Sequence, residues 1–269
     1  MNQNSPIGLF DSGIGGLTVA KAVRRMLPNE DIIYFGDTAH LPYGDKSTTA
    51  IQSYAIKITN FLLDNDCKAI LIACNSASAA AFELVKMYAG SKAVILNVID
   101  PAVEYVARRY ANKDVGLIGT VQTVYSNVYT KKIEALNKNV VMHSLATKLL
   151  APMIEEGFFE HNISESIINT YLSDIQLNDI EALILGCTHY PLIKKEIENY
   201  YKGKVEVIDS SAIVAKKLGD TLKERNLENN GSSIGTKKFF VSDYTKSFEQ
   251  STKIFFKEAL HLEHYPLWE

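Results

Sequence analysis

Two cysteines stand in matched surroundings. Cys74 follows the apolar run Ala69-Ile70-Leu71-Ile72-Ala73 and precedes Asn75-Ser76; Cys187 follows Ala182-Leu183-Ile184-Leu185-Gly186 and precedes Thr188-His189. A continuous apolar run of this length fits a strand buried on both faces of a parallel sheet. The position just beyond such a strand is where open α/β sheets bind their ligands. Short polar side chains after each cysteine favour a helix N-terminus. There the positive end of the helix stabilises a thiolate, and free N–H groups can hold a carboxylate. The duplication predicts two thiols facing one small molecule from opposite sides. The third cysteine, Cys67, lies among Asp64, Asp66 and Lys68 and reads as a structural residue of a helix-to-strand turn. An odd cysteine count argues against a disulfide framework.

Two further loops carry polar chemistry. Asp11-Ser12-Gly13-Ile14-Gly15-Gly16 sits between an apolar run and a helical stretch. It begins like a dinucleotide-binding fingerprint, but Thr18 occupies the place of the last glycine, so the loop reads either as a glycine turn aiming N–H groups at a small anion or as a plain turn with no ligand. The segment from Gly36 to Ser47 is long, polar and aromatic, and contains Pro42-Tyr43-Gly44. Loops at strand ends of α/β folds commonly carry function, and Tyr43 reads either as a packing residue or as a hydroxyl donor to a ligand. No metal site is expected. Cys187-Thr188-His189 lacks the Cys-x₂₋₄-Cys spacing of zinc sites, and His261-Leu262-Glu263-His264 lacks partner ligands.

These loops need strands and helices to position them. Candidate strands cover 6–10, 31–35, 68–73, 93–98, 114–119, 139–143, 181–186, 205–208 and 237–241. Segment 47–63 fits an amphipathic helix capped by Ser47, with Ile51, Tyr54, Ala55, Ile58 and Leu62 on one face. Strands alternating with helices predict an α/β fold with mainly parallel sheets. A weak repeat relates Ile7-Gly8-Leu9-Phe10-Asp11-Ser12 to Val205-Glu206-Val207-Ile208-Asp209-Ser210. Its order fits two similar lobes, 1–99 plus 210–269 and 100–209, with the chain crossing near Asp100-Pro101 and returning near Ser210. The segment 245–269 reads as a packing helix and a tail over the first lobe, with Tyr265-Pro266-Leu267-Trp268 a candidate for an oligomer contact.

Bulk properties exclude several classes. The chain has 269 residues, 46% hydrophobic and 22% charged, with a net charge of −3 and scattered Lys and Arg. That balance suits a globular enzyme and argues against nucleic-acid or membrane-surface partners. No apolar stretch reaches the roughly 20 residues needed to span a bilayer. Residues 1–10 lack a basic segment followed by a long apolar one, so a cytoplasmic location is expected.

Together, Phe10-Asp11-Ser12-Gly13-Ile14-Gly15-Gly16, Gly36-Asp37-Thr38, Pro42-Tyr43-Gly44, Ala73-Cys74-Asn75-Ser76-Ala77, Gly119-Thr120 and Gly186-Cys187-Thr188-His189-Tyr190-Pro191-Leu192 resemble the glutamate racemases of the aspartate/glutamate racemase superfamily. Ser76 departs from the threonine usual there and keeps its hydroxyl. The resemblance implies two α/β lobes with the active site between them, no cofactor, and a homodimer. It implies interconversion of L- and D-glutamate, the D form serving peptidoglycan synthesis. Racemisation by two bases needs groups on both faces of Cα. Carried over, Cys74 takes the proton from D-glutamate and Cys187 from L-glutamate. Asp11 assists Cys74, while His189 and a glutamate, Glu155 or preferably Glu156, assist Cys187. Asp11, Ser12, Pro42, Tyr43, Gly44, Asn75, Ser76, Thr120, Thr188 and His189 match the substrate-binding positions. The competing readings are a racemase for another acidic amino acid such as aspartate, a silent carboxylate-binding protein, and a dithiol redox protein. The last is weakened by the lack of a Cys-x-x-Cys motif.

Overall fold

The computed structural model describes residues 1–160, 162–256 and 260–269. In chain order its strands are β1 (Ile7–Asp11), β2 (Ile32–Gly36), β3 (Ala69–Ile72), β4 (Val94–Asn97), β5 (Asp114–Gly119), β6 (Val141–Ala146), β7 (Ala182–Gly186), β8 (Glu206–Ile208), β9 (Lys237–Val241) and β10 (Glu263–His264). They form a six-stranded sheet, β10-β9-β2-β1-β3-β4, and a four-stranded sheet, β6-β5-β7-β8. All pairings are parallel. Helices join successive strands, as parallel pairing requires.

The apolar runs behave as two-sided buried strands. Ile7 and Leu9 of β1, Ile32 and Tyr34 of β2, and Ala69 and Leu71 of β3 face one core, which continues into Val115, Leu117, Leu183 and Leu185 of the second sheet. Phe10, Ile33, Phe35, Ile70 and Ile72 alternate onto the other face and pack a second core beneath the helices Thr48–Asp64 and Asn75–Ala89. Ser47 caps the first of these helices by accepting from the Ala50 N–H at 3.3 Å.

Three readings of the sequence are corrected. Expected at 139–143, β6 begins only at Val141, because Asn137 and Asn139 take left-handed backbone (φ 52° and 53°) and prolong the turn. The two-residue β10 extends the sheet beyond β9 with exposed side chains, so it leaves no apolar pattern to read. The repeat is also misaligned. The orders β2-β1-β3-β4 and β6-β5-β7-β8 are the same arrangement, so β5 is the counterpart of β1, and β8 of β4. Asp209, after β8, accepts from the Ser211 N–H at 2.9 Å and hydroxyl at 2.7 Å and starts the next helix. β3 and β7 do correspond, and each leads into a cysteine.

The chain leaves the larger sheet after Asn97, enters the smaller at Asp114, and returns to the larger at β9. Cys67 and Cys74 lie at opposite ends of β3. Cys67 is buried, and a Cβ on Gly8 would sit 3.1 Å from its sulfur. No helix among the described residues is long and apolar enough to cross a membrane.

Candidate active site

Strands in each sheet end at one cleft. Ser12 follows β1, Cys74 follows β3, Thr120 follows β5 and Cys187 follows β7. Pro42, Tyr43 and Gly44 enter from the loop after β2, and Glu155 from the helix Leu150–Glu155. With Asn75, Ser76, Ala151, Gly186, Thr188 and His189 they line one narrow cleft. Carboxyl-end convergence is what parallel α/β sheets offer a ligand.

The Cys74 side is built on a helix N-terminus. Cys74 caps the helix Asn75–Ala89, its sulfur 3.4 Å from the Ala77 N–H and 3.8 Å from the Ser12 hydroxyl. Burial nevertheless pushes the thiol up to about 12, and the Asp11 carboxylate pushes the same way against the Ala77 N–H. The N–H at the helix start works toward the thiolate, as its position predicts, and burial outweighs it. Asp11 lies behind the cleft wall, fully buried, with Oδ2 accepting the Gly13 and Gly16 N–H groups at 3.1 and 2.9 Å. Burial raises its carboxyl above the ordinary range, opposed by His189 and those two amides. Ser76 and Thr120 hydroxyls lie 2.8 Å apart, and Thr120 and Thr123 3.0 Å, forming a hydroxyl cluster between the sheets. Tyr129 donates to Asn75 Oδ1 at 2.8 Å and fixes its amide.

The Cys187 side is built from side chains instead. The cysteine precedes a short 3₁₀ turn, Tyr190–Ile193, and not the start of an α-helix. His189 Nδ1 lies 3.5 Å from the Cys187 sulfur, and His189 Nε2 lies 2.8 Å from Glu155 Oε1. Burial alone would depress this imidazole, but Cys187 and Glu155 outweigh it and hold His189 well above its ordinary value. Glu155, not Glu156, is the glutamate against His189. One residue turns the side chain through about 100° on a helix, and Glu156 points outward, exposed, as the residue ending that helix.

Residues 17–218 match the family described as Asp/Glu/Hydantoin racemase. The chain belongs to this racemase family. A glutamate racemase of Chlorobaculum tepidum is 40% identical over 95% of this chain and 93% of its own length. The structure of glutamate racemase from Francisella tularensis in complex with D-glutamate superposes with a TM-score of 0.91, at 42% identity and covering 99% of both chains. That of glutamate racemase from Thermus thermophilus in complex with beta-chloro-D-alanine gives 0.89, at 34% identity and covering 98% of both.

In this racemase the two halves are joined beneath the cleft as well as across it. Thr18 donates to the Thr188 carbonyl at 3.0 Å, and a Cβ on Gly15 would lie 2.5 Å from His189 Cε1. Thr147 and Thr123 escaped the reading of the sequence, and Asp37 entered it only as part of the motif Gly36-Asp37-Thr38, with no role. Thr147 pairs with the Tyr190 hydroxyl at 2.7 Å, and Asp37 accepts the Tyr43 hydroxyl at 2.6 Å. Thr123 had a local signal, its three-residue spacing from Thr120 at a helix start; Thr147 had none. Among the described residues no three His, Cys, Asp or Glu side chains are grouped to hold a metal ion.

Proposed function

We propose that this racemase interconverts L- and D-glutamate through its two cysteines, without a cofactor. The carrying observation is that two thiols from different sheets line one cleft in unequal surroundings. With L-glutamate, the Cys187 sulfur removes the Cα proton as thiolate while the Cys74 thiol delivers its proton to the opposite face. D-glutamate leaves, with Cys187 protonated and Cys74 a thiolate; the reverse reaction starts from that state. Burial pushes the Cys74 thiol up, which suits a proton donor, and the raised His189 supplies positive charge beside Cys187. Each is therefore poised for the L-to-D direction.

Binding rests on Ser12, Pro42, Tyr43, Gly44, Asn75, Ser76, Thr120, Thr188 and His189, with Asp11 acting from behind the wall. Hydroxyl and N–H donors of this kind hold carboxylates without an arginine clamp. Segments 1–99 with 210–269, and 100–209, act as two lobes around the substrate. The protein works as a cytoplasmic homodimer and supplies D-glutamate for peptidoglycan synthesis.

Optical rotation of L-glutamate without added cofactor tests the activity, with L-aspartate assayed alongside. In deuterium oxide the product enantiomer gains deuterium at Cα before the remaining substrate does. Cys74→Ser and Cys187→Ser each abolish interconversion. Full activity in either variant excludes the two-thiol mechanism, and preferential turnover of aspartate excludes the substrate assignment.

A further inference from the structure

Four side chains converge on Asp37, the residue after β2, and two of them come from the far end of the chain. Asp37 is fully buried. Its Oδ2 accepts the Tyr43 hydroxyl at 2.6 Å and lies 3.0 Å from His40 Nδ1. Its Oδ1 accepts the Ser242 hydroxyl at 2.7 Å and the Trp268 indole N–H at 2.8 Å. Trp268 belongs to a tail that is itself fastened down. β10 pairs with β9, the Tyr265 N–H donates to the Val241 carbonyl at 2.9 Å, and the Tyr265 ring lies 4.5 Å from Phe61. The Trp268 ring meets His40 edge-on at 4.5 Å and Tyr54 at 5.4 Å, with the Lys57 ammonium 4.8 Å above it. Bonds to a buried carboxylate are stronger than neutral ones, and losing one leaves the acceptor short of a donor. Of these groups only Tyr43 lines the cleft.

We propose that the C-terminal tail is a strap on the substrate loop and that Trp268 is a positioning residue. Through Asp37 it fixes Tyr43, and with it Pro42 and Gly44, at the cleft wall. The proposal rests on the reading of that cleft as a glutamate racemase site. Trp268 touches no cleft residue directly; it acts on Tyr43 through Asp37 and through the Tyr54 ring, which lies 5.6 Å from that of Tyr43, so it governs substrate binding more than proton transfer.

The test compares the wild type with Trp268→Phe, Tyr43→Phe and the double variant in both reaction directions. Trp268→Phe keeps an aromatic ring in place and removes the N–H. It raises KM for glutamate about three- to tenfold and leaves kcat within about twofold. In the double variant KM exceeds that of Tyr43→Phe by no more than about twofold, because both side chains act on one carboxylate. A KM equal to wild type in Trp268→Phe, or effects that multiply in full, overturns the strap. A second measurement needs no variant, since Trp268 is the single tryptophan of the chain. If the strap favours substrate, substrate favours the strap, so saturating D-glutamate reduces acrylamide quenching of Trp268 emission. Quenching unaffected by D-glutamate overturns the proposal. A wild type that turns over neither enantiomer is a failure of the racemase reading; turnover with an unchanged KM in Trp268→Phe is a failure of the strap alone.

Discussion

The two cysteines differ most in what surrounds them. Burial and the carboxylate of Asp11 push the Cys74 thiol up, whereas Cys187 stands beside an imidazole held above its ordinary range. That imidazole depends on Glu155, which sits 2.8 Å from it. Glu155→Gln lowers kcat by about ten- to a hundredfold, the scale of a lost charge-assisted contact at a reacting group. Glu156→Gln leaves kcat within about twofold, since its side chain faces solvent. Steady-state rates of the two variants from L-glutamate separate these outcomes; a loss in Glu156→Gln with Glu155→Gln near wild type would return the role to Glu156. His189 also marks stability against pH. Its pKa in the folded protein lies above the ordinary 6.5. Its contribution is therefore full below that value and fades as pH climbs through the higher, folded one. Urea unfolding across pH should show the margin of wild type over His189→Asn shrinking toward alkaline pH. A constant margin would contradict the raised imidazole.

At the scale of elements, the turn after β1 matters through what it lacks. Gly15 lies against the Cys187 loop, and a Cβ there would come within 2.5 Å of His189 Cε1 and 2.6 Å of Thr188 Oγ1. The glycine is required by close approach of backbone to side chains. Gly15→Ala is expected to displace His189 and lower kcat/KM by at least about a hundredfold, a loss that small misplacement at a reacting centre can cause. Circular dichroism should remain that of the folded protein. Near-normal turnover would show that His189 and Thr188 yield freely. Much at this scale was legible from the sequence. β3 and β7 are two-sided apolar runs that announce themselves, and Ser47 announces its helix. β6, whose residues are exposed or half-buried, shows only in part, at 139–143, and the two-residue β10 does not show at all. A strand that buries little leaves little apolar pattern.

Across the whole molecule, one buried ion pair ties distant segments together at the end of the larger sheet remote from the cleft. Lys68 Nζ meets Glu30 Oε2 and the Gln3 carbonyl, each at 2.5 Å, while Glu30 Oε1 accepts the Asn229 N–H at 2.8 Å. Lys68 and Glu30 are both almost fully buried. Breaking such a pair from one side leaves an unpaired charge where water is absent. Lys68→Ala is expected to cost about 3–5 kcal/mol in urea unfolding. Lys68→Met with Glu30→Gln should recover much of that loss, because the charge left behind is removed. Equal losses in the two proteins would mean that packing, and not charge, holds this corner.

The sequence by itself determined the alternation of strands and helices, the placement of both cysteines at strand ends, and the glycine and hydroxyl loops beside them. These depend on local periodicity and on residue types that serve few other purposes. Tertiary structure decided which residues meet. It selected Glu155 over Glu156 through the pitch of a short helix. It aligned β1 with β5 through strand order. It also brought Trp268 and Ser242 to Asp37, more than two hundred residues away in the chain. Such contacts arise from the path of the chain through three dimensions, and no local pattern encodes them.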